Sequence, residues 1–346
     1  MEFLTLKTLV NKHSILDKIA VVILNWNGVK LLGEFLPSIV QHSPEAAIYV
    51  ADNASNDDSV SYVKATFPTV QIIQNQSNLG FAQGYNQALK SIDAEIYALV
   101  NSDVEVTENW LRPMLETFDR ETNTAIIQPK ILDYKNKAYF EYAGAAGGFI
   151  DKYGYPFCRG RIFQTLEQDK GQYDDLSDIF WASGACFFIR SKVYKELHGF
   201  DLDFFAHQEE IDLCWRAFNK GYKIRYNSNS VVYHVGGATL EHANSHKTFL
   251  NFRNSLLVLV KNVPEKQLIN VIIVRLLLDG LAGIQFIMKG KFSHFGAIIK
   301  AHFSFYSLIR SNYKKRSSLQ SEKYYKLKSI VFAYYVKNGT IFEKLF

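Results

Sequence analysis

IAVVILNWNG (residues 19–28) is the stretch from which the fold can be read. Six apolar, mostly β-branched residues run without interruption, and Asn25, Asn27 and Gly28 then break the run. A short apolar run bounded by turn formers is a strand buried on both faces, as in a parallel sheet. Residues 29–40 follow with helical spacing. AIYVA (47–51) is a second strand ending at Asp52, 57–66 a second helix and 70–73 a third strand. Gly80 to Leu89 is a loop feeding a helix, and EIYALV (95–100) a further strand ending at Asn101. This alternation predicts a doubly wound α/β sheet.

Polar residues cluster where these strands end: Asn25 and Asn27, Asp52 and Asn53, Asn101 and Asp103. Turn preference accounts for any one such loop. Three in series mark a site, because ligands of open α/β sheets bind beyond the carboxyl ends of the strands. Further on, residues 134–176 are rich in Gly, Tyr and Asp and lack periodicity, which predicts irregular strands and a mobile loop. WASGACFFIR (181–190) is a strand with a tight Gly184. A helix over 209–220 ends at Gly221, a good residue to follow a helix, and 231–234 is a short strand closing on His234. There is no internal repeat and no low-complexity tract.

Three constellations carry chemistry. In NSD (101–103), Asp103 lies just past a buried strand. A carboxylate there suits a hard divalent cation such as Mg²⁺ or Mn²⁺, which needs only one or two protein carboxylates beside phosphate oxygens. In QEEIDLCWR (208–216), Glu209, Glu210 and Asp212 stand at a helix start, where the helix dipole already favours acids. A carboxylate there can also remove the proton of an attacking hydroxyl. Two neighbouring acids raise one another's pKa, and Asp212 can instead pair with Arg216 one helical turn on. In VVYHVGG (231–237), His234 precedes Gly236 and Gly237, which permit close approach to a ligand. Its imidazole can complete the coordination opened by Asp103.

VVILNWNG, VADNASNDDS, NLGFAQGYNQAL, VNSDVEV, WASGACFFIR, EEIDLCWRAFNKGYKI and YHVGG occur in this order over residues 19–240. Together they resemble the family 2 inverting glycosyltransferases of GT-A fold, and within them the bacterial rhamnosyltransferase-like branch. The resemblance implies a Rossmann-like, doubly wound mixed sheet and transfer of a sugar from a nucleoside-diphosphate donor, dTDP-rhamnose or a UDP-hexose. It implies a hydroxyl of a growing, lipid-linked surface glycan as acceptor. By position, Leu24, Asn25 and Asn27 line the nucleotide base, and Asp52 and Asn53 contact its edge. Asn78, Gly80, Phe81 and Gly84 pack on the nucleoside. Asn101, Ser102 and Asp103 form the D-x-D-like element, with Asp103 and His234 on the metal. Glu210 is the base, with Glu209 as the alternative and Asp212 beside them, and Trp181 and Gly184 face the sugar or acceptor. Two departures stand out. Asn101 replaces the first Asp of D-x-D and is a poor direct ligand. Glu210 stands where Asp is frequent, which lengthens its reach by one methylene.

Charge divides the chain. The net charge is +5, yet residues 247–346 hold 17 Lys+Arg against 4 Asp+Glu, a balance of +13, and the remainder carries −8. An acidic body excludes a nucleic-acid partner, which requires phosphate neutralisation across the binding face. The tail holds LLVLV (256–260) and LINVIIVRLLLDGLAGIQFI (268–287), the second long enough to span a bilayer. Arg275 and Asp279 near its centre are costly there, roughly 2.5–3.5 kcal/mol each, and can pair across one turn. An interfacial or docked helix is therefore expected, with peripheral membrane contact through 256–316, where lysines interleave with aromatics.

The expected organisation is an extension over 1–18, a catalytic domain over 19–246 and a basic, apolar helical tail over 247–346. No secretory signal is read in the first residues, and three unpaired cysteines suit a reducing compartment. With the resemblance, the expected location is the bacterial cytoplasm at the inner face of the membrane. The alternative is a catalytically inactive nucleotide-sugar-binding module of the same fold. Asp103, Glu210 and His234 together speak against it, because binding alone needs no base. A nucleotidyltransferase would want a Gly-rich loop with Lys or Arg after the first strand, and LNWNGVK is a poor version of one.

Overall fold

The computed structural model describes residues 18–236 and 245–346. In chain order the first elements are β1 (Ile19–Asn25), α1 (Val29–His42), β2 (Ala47–Asp52), α2 (Ser59–Thr66), β3 (Gln71–Gln74), α3 (Gly80–Ala88) and β4 (Ile96–Asn101). Next come β5 (Val104–Val106), α4 (Arg112–Arg120), β6 (Thr124–Asp133), β7 (Gly148–Ile150), β8 (Pro156–Cys158), β9 (Arg161–Ile162) and β10 (Thr165–Leu166). The body ends with β11 (Leu176–Ile179), β12 (Cys186–Arg190), α5 (Ser191–Glu196), α6 (Glu209–Asn219) and β13 (Lys223–His234). The C-terminal helices are α7 (Ser245–Asn262), α8 (Glu265–Met288), α9 (Phe292–Lys314) and α10 (Ile330–Tyr335).

Nine strands form one mixed sheet, in the order β11-β13-β6-β12-β4-β1-β2-β3, with β5 on β13. β1 runs parallel to β2 and β4, and β12 antiparallel to β4 and β6. The apolar run of β1 feeds two cores. Ala20 and Val22 pack on the side that holds α3 and α6, and Ile19, Val21 and Ile23 on the side that holds α1 and α4. All five are buried, and each fully buried Val or Ile side chain contributes about 1.5–3 kcal/mol. Helices on both faces make the sheet doubly wound.

Register fixes the site. Asn25 pairs with Asp52, and Leu24 with both Ala51 and Asn101, so three strand ends lie side by side.

Three local expectations change. The segment from Gly80 is helical from its first residue, and the loop that feeds the helix is residues 75–79. Residues 148–166 form a four-stranded sheet, β10-β9-β8-β7, in the region read as irregular. The short strand at 231–234 is the end of the twelve-residue β13. Its polar middle stays in the sheet through a register shift between Asn227 and Val231, where Asn227 Nδ2 donates to Pro113 O and Thr117 Oγ1.

The C-terminal helices pack on the body. Leu256 to Val260 of α7 are buried in the same core as Trp215 of α6, Phe305 of α9 and Tyr324. A stretch apolar on every side, as Leu256–Val260 is, belongs to the core. The cysteines are free and buried.

Candidate active site

The aligned strand ends carry a net of amides and carboxylates. Asn25 Nδ2 donates to Asp52 Oδ1 (3.0 Å) and Ser55 Oγ (3.2 Å), and Ser55 closes the turn by donating its Oγ–H to Asp52 Oδ1 and its N–H to Asp52 Oδ2. Asn27 has a left-handed backbone (φ +51°) and accepts from Asn56 N through Oδ1. Asn53 is buried. Its Nδ2 donates to Asn78 Oδ1 and Gly80 O, and its Oδ1 accepts from Asn75 Nδ2. Asn78 Oδ1 also accepts from Gly80 N (3.0 Å).

Glycines let these pieces touch. A Cβ on Gly84 would lie 3.0 Å from Leu24 and 3.2 Å from Asn53, and one on Gly28 would lie 2.4 Å from Asn25 Oδ1 and 3.9 Å from Ser102 Oγ. The structure therefore brings Leu24, Asn25, Asp52, Asn53, Asn78, Gly80, Gly84 and Ser102 into one cluster.

The next cluster centres on His234. Its Nε2 is 3.1 Å from Asp103 Oδ1 and its Nδ1 is 3.3 Å from Glu141 Oε1. All three residues are buried. Burial alone would lower the histidine pKa. Glu141 and Asp103 override it and raise the group to about 10. Glu141 escapes sequence reading because it lies in the region without periodicity, and its relation to His234 exists only in the fold. Gly236 (φ +67°) approaches Glu141: a Cβ there would sit 2.8 Å from Oε1. Gly237 lies outside the described residues.

Among the described residues no group of three or more His, Cys, Asp or Glu side chains is arranged to hold a metal ion. One carboxylate and one imidazole, the imidazole once a bound cation displaces its proton, nevertheless form a donor pair suited to Mn²⁺ or Mg²⁺ completed by a diphosphate. His234 Nδ1 lacks a well-formed hydrogen bond, so its orientation toward Asp103 rests on the facing carboxylates.

The acids at the start of α6 form the third cluster. Gln208 (φ +75°) caps the helix in a left-handed conformation, and Glu209 and Glu210 follow in its first turn. Each has a buried Oε2 without a hydrogen-bond partner. Burial raises the Glu209 carboxyl well above its usual range, and the neighbouring Glu210 adds to it. Burial pushes Glu210 up to about 7. A Cβ on Gly184 would lie 3.5 Å from Phe81 and 3.9 Å from Glu210, so the start of α3, the entry to β12 and the acid meet there. Asn101 N donates to the adjacent Ala185 O, which ties the Asn101–Ser102–Asp103 turn to the same place.

Two assigned residues are engaged elsewhere. Asp212 is buried and bonded to Arg216 Nε (2.8 Å), Lys261 Nζ (2.8 Å) and Asn262 Nδ2 (2.9 Å). Arg216 and Lys261 outweigh burial and hold its carboxyl below the usual range, so Asp212 braces the helix and is no free base. Trp181 was assigned to the sugar or acceptor, but it is buried, donates Nε1–H to Phe149 O (2.8 Å) and packs where a Cβ on Gly148 would be. It is a core residue with no face left for a sugar.

A mixed sheet with an acid pair and a carboxylate–imidazole pair beyond its strand ends is a GT-A-type fold. The sequence profile described as Glycosyl transferase family 2 matches residues 20–197. The chain belongs to that family and is a glycosyltransferase. Two relatives are similar over most of their length. The low-salt glycan biosynthesis hexosyltransferase Agl10 of Haloferax volcanii is 23% identical, over 71% of this chain and 76% of its own. The N-acetylglucosaminyl-diphospho-decaprenol L-rhamnosyltransferase of Mycobacterium tuberculosis is 22% identical, over 66% and 80%. Among solved structures, the mannosyltransferase PcManGT of Pyrobaculum calidifontis, in complex with GDP-Man and Mn²⁺, is similar in fold. Its TM-score is 0.52 at 13% identity, over 85% of this chain and 75% of that one.

Proposed function

We propose that this glycosyltransferase moves a hexosyl group, with inversion, from a nucleoside-diphosphate sugar to a hydroxyl of a growing, lipid-linked surface glycan. The observation that carries the reading is the acid pair Glu209–Glu210, each with a buried Oε2 that has no hydrogen-bond partner, with Glu210 beside Gly184 and Phe81 at the mouth of the donor cluster. A carboxyl raised to about 7 is poised for proton transfer near neutrality. Glu210 takes the acceptor hydroxyl proton as the acceptor oxygen bonds to the anomeric carbon. The bond from that carbon to the phosphate oxygen breaks, and its electron pair leaves with the nucleoside diphosphate. Leu24, Asn25, Asn27, Asp52 and Asn53 bind the base, and Asn78, Gly80, Phe81 and Gly84 shape the nucleoside pocket. Asp103 and His234 would hold a divalent ion, Mn²⁺ or Mg²⁺, which neutralises charge on the departing diphosphate. Asn101 stays behind them as a supporting amide.

The names of the two relatives, a hexosyltransferase of glycan biosynthesis and a rhamnosyltransferase on a diphospho-decaprenol acceptor, support this class of acceptor. dTDP-rhamnose is the first donor to test and a UDP-hexose the second. Residues 19–246 carry the chemistry, 247–346 support it and meet the membrane, and residues 1–18 precede the catalytic part. The test is Glu210→Gln. Calorimetry with UDP and dTDP, each with Mn²⁺, should give unchanged nucleotide binding, while transfer falls at least 10²-fold, as for loss of a general base. An active Glu210→Gln enzyme would remove the base assignment.

We place the enzyme at the cytoplasmic face of the bacterial inner membrane through α8 and α9. α8 is long and apolar enough to cross a membrane, but its charged pair faces inward. Arg275 Nε donates to Asp279 Oδ1 (2.8 Å), and both are buried. The opposite face exposes Ile269 (73%), Ile273, Leu277 (66%), Leu281, Ile284 and Met288 (82%). A helix packed for water has the reverse arrangement. Lys289, Lys291 and Lys300 are exposed beside this stripe, as an anionic lipid surface requires.

A further inference from the structure

The chain enters α6 through a costly turn. His207 (φ +70°) and Gln208 (φ +75°) are consecutive residues with left-handed backbone and neither is glycine. Side chains disfavour that conformation, and it persists only where the surroundings hold it. Glu209 and Glu210 are the next two residues, so the turn sets where their carboxyl groups point.

The hold comes from α7. Asn254 is fully buried, and its Nδ2 donates to the carbonyl oxygens of Ala206 (2.9 Å) and His207 (2.7 Å). Its Oδ1 accepts from Arg253 Nε (2.8 Å), and Arg253 Nη2 donates to Asp203 O (3.0 Å). Seven residues on, and so on the same helix face, buried Lys261 bridges Asp201 and Asp212. Asn262 adds a bond to Asp212 Oδ1. One face of α7 thus grips the chain on both sides of the acid pair, at 201–207 before it and at 212 after it. The same loop reaches the donor side: Phe81 N donates to Phe205 O (2.9 Å), and a Cβ on Gly80 would strike that oxygen at 2.6 Å.

We infer that Asn254 and Lys261 are positioning residues for transfer, through which α7 fixes the His207–Gln208 turn and aims the Glu209–Glu210 pair. The inference rests on the assignment of the base to that pair.

The test uses the full chain. Asn254→Asp keeps the size of the side chain and its bond to Arg253 but sets an oxygen against the two carbonyls. Amide hydrogen exchange over 203–212 should rise at least tenfold, with β1 and β4 unchanged. Affinity for UDP or dTDP with Mn²⁺ should stay within twofold. Turnover, read as nucleoside diphosphate released from dTDP-rhamnose or UDP-glucose, should fall 10- to 100-fold with the donor KM unchanged. Lys261→Met should behave alike, and Lys261→Arg should recover at least fivefold over Lys261→Met. Unchanged exchange over 203–212 in Asn254→Asp overturns the inference, as does a loss of nucleotide binding in proportion to turnover. Glu210→Gln measured in parallel separates the two assignments. If Glu210→Gln is inactive and Asn254→Asp fully active, positioning alone fails. If Glu210→Gln is active, the base assignment fails and the inference falls with it.

Discussion

α7 and α8 are neighbours in sequence and both carry long aliphatic runs, yet they face opposite ways. α7 buries Leu256 to Val260 and turns Asn254, Lys261 and Asn262 onto the loop before α6. α8 turns Arg275 and Asp279 inward and leaves its aliphatic stripe outside. The contrast teaches that hydropathy alone does not decide which face of a helix is the core. Polar side chains decide it, because a buried polar group must find a partner. Arg275 finds one in Asp279, in Ser255 Oγ (2.7 Å) and over the ring of Tyr155, and His302 completes the cluster on Asp279.

The contrast is breakable by substitution. Leu257→Asp in α7 places an unpaired charge in the shared core, and it should cost about 4 kcal/mol or more and leave no cooperative melting transition. Arg275→Met removes the guanidinium from buried Asp279 and leaves it only the longer contacts with His302 and Tyr155. It should cost about 3–4 kcal/mol by chemical denaturation, and Arg275→Met with Asp279→Leu should recover most of that. If the single change is silent, the inward pair is not what sets the face of α8.

The acid pair braced by α7 gives the next effect. The Glu210 carboxyl sits at about 7 against an ordinary 4.5. Between those values the folded state keeps a proton that the unfolded chain releases. Stability is therefore greatest below pH 4.5 and declines as pH rises through 7. With Glu210 as the proposed base, turnover moves the other way, because a base must be ionised. The kcat profile should climb through pH 7, and Glu210→Gln should melt several degrees above the parent at pH 8 but close to it at pH 4.5. Smallest in stability is Leu277→Asp on the outer stripe of α8, below about 0.5 kcal/mol. Its effect belongs to liposome co-sedimentation. Binding to vesicles with anionic lipid should drop, and parent binding should weaken with added salt. Equal sedimentation of the two proteins would count against the membrane face.

Much of this was legible in the sequence because it depends on local pattern. The run at 19–24 gave a strand buried on both faces, and the breaks at Asn25, Asp52 and Asn101 marked strand ends that register then aligned. His234 was found by its place at a strand end before glycine. Features that depend on distant partners were not legible. The polar YNSNS (226–230) looks like a loop, but the bonds of Asn227 to Pro113 and Thr117 keep it within β13. Glu141 gains meaning only beside His234. Trp181, two residues before the Ser183–Gly184 pair, reads as a sugar or acceptor contact, whereas the glycine at 148 makes room for its ring in the core. Asn254 and Lys261 look like the wet side of a helix until the loop they hold is seen.

The shared core of α7 with α6 has a consequence for modularity. A chain cut at residue 246 would lose Asn254 and Lys261 together with Leu256 to Val260. The C-terminal helices are therefore not a detachable address label that relatives can trade. A chimera meant to change where such an enzyme works, or on what, has to move residues 201–212 and 245–316 as one inherited unit.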